Sequence, residues 1–388
     1  MEIRTVRCLG VVGQPDPVAP NLQLPISPKV NPVKTPTWTI AAPFAAIAFL
    51  GVEATSGAHA LPTWLLPVAV ILLLASVLSA VHHAETIAAR LGDPYGSILL
   101  AMAVTIIEVA LIISVLVQAP SEGNEIARDT VFAAIMITLN GIVGLCLLIG
   151  GIYYREQEFS VRGTTGALAV LGTVAVLALV LPNYTVEMPG PVYATPQLLF
   201  VAIVSLALYG LFLFVQMVRH QEDFRDPTST TVHGKPGKRE FLMALLLLPV
   251  ALLTVVLMAE TLSPVLEAAI AGAGLPPALI GVAIAMIVLL PEGTAALRAA
   301  RANHLQTSIN LAIGSALASI CLTIPTVAVL SVLLGRTLTL GLEAEHIVLL
   351  VLTLFMATLS LAVGRTTVLQ GGVHLVIFAA FVILAAIP

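Results

Sequence analysis

Charge is what this sequence has least of. Only 10% of its 388 residues are Asp, Glu, Lys or Arg, whereas soluble domains carry about 25%. Hydrophobic residues make up 59% of the chain, and the mean hydropathy is +1.04. Because so apolar a chain could not cover its surface with polar groups in water, the composition excludes an ordinary soluble protein and indicates a polytopic membrane protein.

Cysteine is also scarce, and several familiar motifs are absent from the sequence. Cys8, Cys146 and Cys321 show no Cys-x-x-Cys or Cys/His spacing, so we expect neither disulfides nor a zinc site. No basic patch with interleaved aromatic residues occurs, which disfavours nucleic acid as a partner. No Gly-x-x-x-x-Gly-Lys-[Ser/Thr] loop occurs either, which disfavours nucleotide binding. We expect no cofactor, and the lipid bilayer is the predicted surrounding.

Long apolar runs are abundant. A helix needs about 20 such residues to cross a bilayer. We therefore predict an all-α membrane protein with about 11 transmembrane helices, at 38–56, 61–81, 96–118, 130–150, 164–181, 196–218, 241–260, 276–299, 305–334, 346–363 and 370–388.

The basic residues orient these predicted helices. If the N-terminus is cytoplasmic, fifteen of the seventeen Lys and Arg residues fall in cytoplasmic segments, and only Arg128 and Arg336 lie outside. This asymmetry follows the positive-inside rule. It predicts a multi-pass protein with a cytoplasmic N-terminus and an external C-terminus.

A polar connection divides the predicted helices into two groups of five, with the first helix as an addition. An odd number of helices in each half gives corresponding helices opposite orientations, so we expect an inverted repeat. The predicted organisation is a disordered, proline-rich segment at 1–36, an additional helix within 37–60, a first repeat at 61–218, a cytoplasmic linker at 219–240 and a second repeat at 241–388.

Two glutamates lie deep inside apolar runs, one in each half. Glu108 is twelve residues after Gly96, which is about 18 Å into a ~30 Å hydrocarbon core. Glu292 is sixteen residues after Pro276. Intramembrane carboxylates are costly and usually mark ion or proton pathways. We predict that the two meet near the midplane and form a shared cation and proton site. The alternative is a structural role, with each glutamate hydrogen-bonded between helices.

The residues that flank Glu292 favour a helix break at the same point. Pro291 removes a backbone donor, and Gly293 loosens the chain. A break would free carbonyl oxygens for a cation, as occurs at transporter midplanes.

Polar side chains elsewhere are candidate supporting ligands. Ca²⁺ takes six to eight oxygens, more than two carboxylates provide. Ordinary hydrogen bonding between packed helices is the alternative role for such groups. The candidates carry side-chain oxygens within predicted helices, and they are Thr105, Asn140, Asn310, Ser315 and Ser319.

A third cluster lies at the inner end of the second predicted helix. His82, His83 and Glu85 are close in sequence, and a histidine pair can relay protons or sense pH. We consider them a candidate proton relay, and a solvated helix end is the simpler alternative.

At these residues the sequence resembles the calcium/cation antiporter superfamily, in particular its bacterial calcium/proton antiporters. The resemblance implies an inverted five-plus-five fold in the bacterial inner membrane. It also implies a glutamate from each half at the shared cation and proton site, here Glu108 and Glu292. The segments that carry it are Gly-Asp-Pro-Tyr-Gly-Ser (92–97), Thr-Ile-Ile-Glu-Val-Ala (105–110), Leu-Pro-Glu-Gly (290–293) and Gly-Ser-Ala-Leu-Ala-Ser-Ile-Cys-Leu-Thr-Ile-Pro (314–325).

One departure from the resembling family bears on the cation. Yeast and plant members typically place Gly-Asn-Ala-x before each glutamate, whereas Val-Thr-Ile-Ile and Val-Leu-Leu-Pro stand here. Asparagine side chains expected near the ion are therefore absent from those positions, so Na⁺ and K⁺ join Ca²⁺ as candidate cations. Together, the paired glutamates and the resemblance predict a secondary cation/proton antiporter that exports Ca²⁺ in exchange for H⁺. Na⁺ or K⁺ in place of Ca²⁺, and a cation channel, are the alternatives.

Enzyme activity is not expected, because the predicted helices lack protease and transferase motifs.

Overall fold

A computed structural model describes most of the chain after the proline-rich segment. The predicted disorder at 1–35 and the motif at 92–97 lie outside the described residues. The described residues are 36–56, 65–91, 99, 102–103, 105–106, 108–110, 112–113, 125–226, 236–272, 274, 276 and 278–387.

The described chain is almost entirely helical. Its described residues between 99 and 113 are helical as well, and we call them the Glu108 segment. The helices with defined bounds are α1 (Thr37–Ser56), α2 (Leu66–Leu91), α3 (Ile126–Tyr154), α4 (Val161–Tyr184), α5 (Thr195–Arg219), α6 (Lys238–Gly272), α7 (Ala278–Arg301), α8 (Leu305–Leu334), α9 (Ala344–Leu361) and α10 (Val368–Ala386).

Eight helices of the described residues are long and apolar enough to cross a bilayer, or nine if the bent α7 is counted as one span. Helix α1 is a shorter apolar helix. The prediction of a multi-pass, helical membrane protein is therefore confirmed.

Several helices contain irregular turns. The last turns of α4 and α5 are tighter or wider than an α-helix. The structure also contains a two-stranded antiparallel pair, which the sequence analysis did not predict. The π turns are Ile137–Ile142 in α3, Val176–Val180 in α4 and Val215–Arg219 in α5; the 3₁₀ turns are Leu181–Tyr184 and Gln221–Phe224; the strands are β1 (Gln157–Glu158) and β2 (Arg365–Thr366).

Two helices extend beyond the predicted membrane spans. Helix α2 continues to Leu91, ten residues beyond the predicted end at 81. Helix α6 continues to Gly272, although its membrane-length part, Lys238–Leu262, agrees with the predicted span 241–260. Polar residues begin at both predicted ends. A helix continues through such residues when they find partners on neighbouring helices, because its backbone hydrogen bonds do not depend on side-chain polarity.

Helix α8 runs through the main core. Leu317, Ile320 and Ile324 are fully buried there, in an apolar cluster shared with α3, α4, α5, α9 and α10. A second cluster joins α1, α2, α6 and α7, and its members include Ala46, Leu73, Met258 and Val288. The central position of α8 means that side chains on several of its faces meet protein rather than lipid.

Glycines bring α3 and α10 into close contact. A Cβ added to Gly144 of α3 would lie 2.9 Å from Cβ of His374, and one added to Gly371 of α10 would overlap the backbone of Leu148. Small residues allow this kind of approach between helices in a membrane.

We predict that Gly371→Ala lowers the stability of the folded protein by about 1–3 kcal/mol, because overpacking forces the two helices apart. Thermal unfolding in detergent measures the change. Gly210→Ala on α5 is the matched control, since no atom lies within 4 Å of the added Cβ. It should leave stability equal or slightly higher, because alanine favours helix over glycine. Equal stability of both variants would contradict the close α3–α10 contact.

Candidate functional site

Glu108 and Glu292 are brought together by one face of α8. Their exposed fractions are 3% and 1%. Ser315 Oγ donates a hydrogen bond to Glu292 Oε1 at 2.8 Å, and Ser319 Oγ donates to Glu108 Oε1 at 2.6 Å. The two serines are one helical turn apart, about 6 Å along the axis. The two carboxylates therefore lie against successive turns of the same face of α8.

Glu292 stands at a bend in α7. The helix is continuous, but the parts Gly281–Leu290 and Glu292–Arg301 differ in direction by 49°. Proline lacks the amide hydrogen that would close the helical bond to the preceding turn, so Pro291 accounts for the bend. The predicted break at this point is thus a bend within a helix.

One carboxylate oxygen of the pair is left without a partner. Glu292 Oε2 is buried and has no hydrogen-bond partner among the described residues. The same holds for the hydroxyl of Thr323, which follows Ser319 by one turn on α8. Burying such a group unpaired is costly. The free carboxylate oxygen is therefore available to a proton or a cation.

The remaining predicted ligands divide into two groups. Thr105 is buried, with 2% exposure, one turn before Glu108. The two asparagines are bonded elsewhere: Asn140 Nδ2 donates to Thr353 Oγ1 at 2.8 Å, and Asn310 Nδ2 donates to the Phe224 carbonyl at 2.6 Å. Ser315 and Ser319 belong to the predicted supporting set, and both hydrogen-bond the glutamates.

His82, His83 and Glu85 lie within α2, but they face different partners. His83 is fully buried, and its Nε2 lies 3.2 Å from the Thr39 carbonyl of α1. Because a carbonyl only accepts, Nε2 carries the hydrogen. Glu85 pairs with Arg298 of α7 at 3.6 Å. A solvated helix end is therefore the wrong description for His83.

His374 on α10 was missed by sequence reasoning. It is fully buried, with Nδ1 3.0 Å from Asn140 Oδ1 and Nε2 3.2 Å from Ser360 Oγ. The signal for it was present, since it is an ionisable residue inside the apolar run 370–388 and such residues are rarely without a role.

Buried paired carboxylates in a multi-pass helical bundle define a class of membrane proteins that move ions or protons. No group of three or more His, Cys, Asp or Glu residues in the described part of the chain could hold a metal ion. The two glutamates and their serines thus form the anionic centre that the structure describes.

The sodium/calcium exchanger protein family matches residues 61–218 and 243–387. The chain therefore belongs to this family, within the calcium/cation antiporter superfamily, and the resemblance read from the sequence is confirmed.

Curated relatives and solved structures agree with this assignment. An ionic transporter by name, y4hA of Sinorhizobium fredii, is 51% identical over 87% of this chain and 93% of its own length. The sodium-potassium/proton antiporter ChaA of Escherichia coli is 37% identical over 81% of this chain and 86% of its own. The H⁺/Ca²⁺ exchanger CAX shares the fold, with a TM-score of 0.66 at 17% identity over 90% of this chain and 92% of its own.

We predict that Ser315→Ala and Ser319→Ala each raise the cation concentration for half-maximal exchange by about tenfold, the effect expected when a group that orients a metal-binding carboxylate is removed. Exchange in vesicles measures it. Thr326→Val on the same helix is the matched control, because the Thr326 hydroxyl bonds only to the Leu322 carbonyl one turn before it. Serine variants that match this control would show that the two hydroxyls do not serve the site.

Proposed function

We propose that the protein is a secondary active cation/proton antiporter in which Ca²⁺ and protons compete for the Glu108–Glu292 pair. The observation that carries this proposal is that both buried carboxylates accept hydrogen bonds from serines on successive turns of α8.

The electrostatics of the pair lead to exchange. Two bare carboxylates in a low dielectric cost several kcal/mol or more, and the cost is removed by protons or by a dication. Occupation by Ca²⁺ or by about two protons gives a nearly neutral site in either case. Only these neutral forms cross readily between inward- and outward-open states. Cation efflux is therefore coupled to proton entry, because the empty, charged site does not cross.

The oxygen count is compatible with a hard cation. Two carboxylates supply up to four oxygens and the two serine hydroxyls supply two more, which reaches the lower end of the six to eight that Ca²⁺ takes. Carbonyl oxygens at the bend of α7 and the Thr105 hydroxyl are further candidates. No residue in this set needs to be a permanent metal ligand, since the ion is the transported substrate.

The proposed architecture is eleven membrane helices, with the Glu108 segment and α7 corresponding in two inverted five-helix repeats and α1 as the addition. Its support is the family match to two separate stretches, 61–218 and 243–387, which nearly coincide with the predicted repeats.

The proposed orientation has a cytoplasmic N-terminus. Predicted cytoplasmic segments that are far apart in sequence meet in the structure, as the positive-inside arrangement requires. Arg365 pairs with Glu158 at 2.9 Å, and Tyr154 Oη donates to the Arg301 carbonyl at 2.7 Å.

His82, His83 and Glu85 are the proposed proton relay on the cytoplasmic half of α2. The two imidazole rings are 5.8 Å apart, and His82 Nε2 and His83 Nδ1 have no hydrogen-bond partner among the described residues. Because Nε2 of His83 carries the hydrogen that it donates to Thr39, its Nδ1 is able to accept a proton.

Na⁺ or K⁺ exchange is the second candidate. Its support is the 37% identity to ChaA, a sodium-potassium/proton antiporter by name, and the hydrogen bonds that Asn140 and Asn310 donate to Thr353 and to the Phe224 carbonyl. A monovalent cation and one proton would neutralise the pair in one direction and two protons would neutralise it on the return, which exchanges one cation for one proton.

We predict that Glu108→Gln and Glu292→Gln each abolish exchange while leaving the protein inserted and folded, because an amide removes the charge but keeps the shape. Everted vesicles with an acid interior and a trapped pH dye report exchange as alkalinisation when CaCl₂, NaCl or KCl is added. Glu158→Gln is the matched control, since Glu158 is a surface residue whose side chain is 71% exposed.

Transport that survives in either glutamine variant would overturn the proposed site. A dissipation of the pH gradient without any added cation would instead indicate a proton leak or channel. Competition adds a second check: the half-maximal cation concentration should rise as the pH falls, because protons occupy the same carboxylates.

A further inference from the structure

Helix α3 lies between the α7 half that begins with Glu292 and helix α10. On one side, Ile142 packs directly against the residue that follows Glu292, since a Cβ added to Gly293 would lie 3.3 Å from Ile142 Cδ1. Cys146, one turn later, packs against Ala296 of α7. This side of α3 therefore sets the position of the backbone that carries Glu292.

The other side of α3 is held by a buried polar network. His374 Nδ1 lies 3.0 Å from Asn140 Oδ1, and Asn140 Nδ2 donates to Thr353 Oγ1 at 2.8 Å. His374 Nε2 lies 3.2 Å from Ser360 Oγ. His374, Asn140 and Thr353 are all fully buried. The network thus ties α3 to α9 and α10 inside the bundle.

The bonding pattern fixes the tautomer of the imidazole. The Asn140 oxygen can only accept, so Nδ1 of His374 carries the hydrogen. In the neutral ring Nε2 is then the acceptor, and Ser360 donates to it. Every polar atom of the ring is satisfied in the neutral state, which makes the ring a fixed support rather than a carrier that exchanges its proton in each cycle.

Asn140 and Ile142 belong to the same π turn, Ile137–Ile142. A π turn inside an α-helix is rare and is frequently found at functional sites. Since Asn140 is anchored by His374 and Thr353, the turn has a defined register, and Ile142 is held against Gly293.

We infer that His374 is a positioning residue for the cation site: through Asn140 it fixes the π turn of α3, and through Ile142 it sets the placement of Glu292. This inference rests on the proposed function in one respect, the role of Glu292 as a cation ligand.

His374→Ala tests the inference in the full-length protein. It removes the donor to Asn140 and should raise the half-maximal CaCl₂ or NaCl concentration about tenfold, as loss of an outer positioning group typically does. The same shift should appear in two readouts, exchange in vesicles and cation-induced thermal stabilisation in detergent. The pH midpoint of exchange should not move. Asn140→Ala should raise the half-maximal cation concentration in the same way. In the double variant this concentration should be no higher than in the more impaired single variant.

Ser205→Ala on α5 is the matched control, because it removes a buried hydroxyl that bonds only to the Val201 carbonyl of its own helix. Ile142→Ala is the second variant, which removes the side-chain atoms that contact Gly293 and leaves no polar group unpaired. If His374→Ala fails to fold, Ile142→Ala decides the inference. A raised half-maximal cation concentration in Ile142→Ala would support the inference, and an unchanged one would overturn it.

Unchanged cation affinity in a folded His374→Ala protein would overturn the inference. So would a displaced pH midpoint at unchanged affinity, which would make His374 a proton carrier. Failure of the proposed function has a different signature: Glu292→Gln would then still show saturable exchange, whatever His374→Ala does.

Discussion

The hydrogen bonds from Ser315 and Ser319 to the two glutamates are the contacts on which the site depends. Buried carboxylates repel each other and lose their hydration, so they remain adjacent only where donors and a balancing charge are at hand. The serines supply the donors from one rigid helix, one turn apart. In the proposed exchange, protons or a cation supply the charge. The repulsion and lost hydration that make the empty pair costly would also make the pair more stable when it is occupied.

The other helices support the two glutamates through successive contacts. Helix α8 passes through the main core and presents the two hydroxyls. Helix α7 bends at the residue before Glu292 and so brings its carboxylate to α8. Helix α3 supports that bend through Ile142, and α10 supports α3 through His374 and the close contact at Gly371. Helices α1, α2 and α6 form a second apolar cluster that also includes Val288 of α7, and α2 and α6 pack against Ala103 of the Glu108 segment.

Particular residues show how far sequence reasoning reached. Glu108 and Glu292 were identifiable because a carboxylate in a long apolar run is unusual. The α8 bounds matched the predicted run 305–334, since that run contains no charged residue and ends at Gly335, which caps the helix in a left-handed conformation. Asn140 was considered as a ligand on the same reasoning, yet it bonds to Thr353 and His374. Polarity marks a residue that needs a partner but does not say which partner it finds.

The sequence by itself determined the class of protein, the membrane helices and the two carboxylates, because hydropathy and the cost of buried charge are local properties of the chain. Only the tertiary structure decided which hydroxyls meet the carboxylates, that α7 bends rather than breaks, that α2 carries His83 into a buried contact, and that His374 joins α10 to the π turn of α3. Those outcomes depend on helix crossings between residues far apart in the chain, and no local pattern encodes the distance between two side chains on different helices.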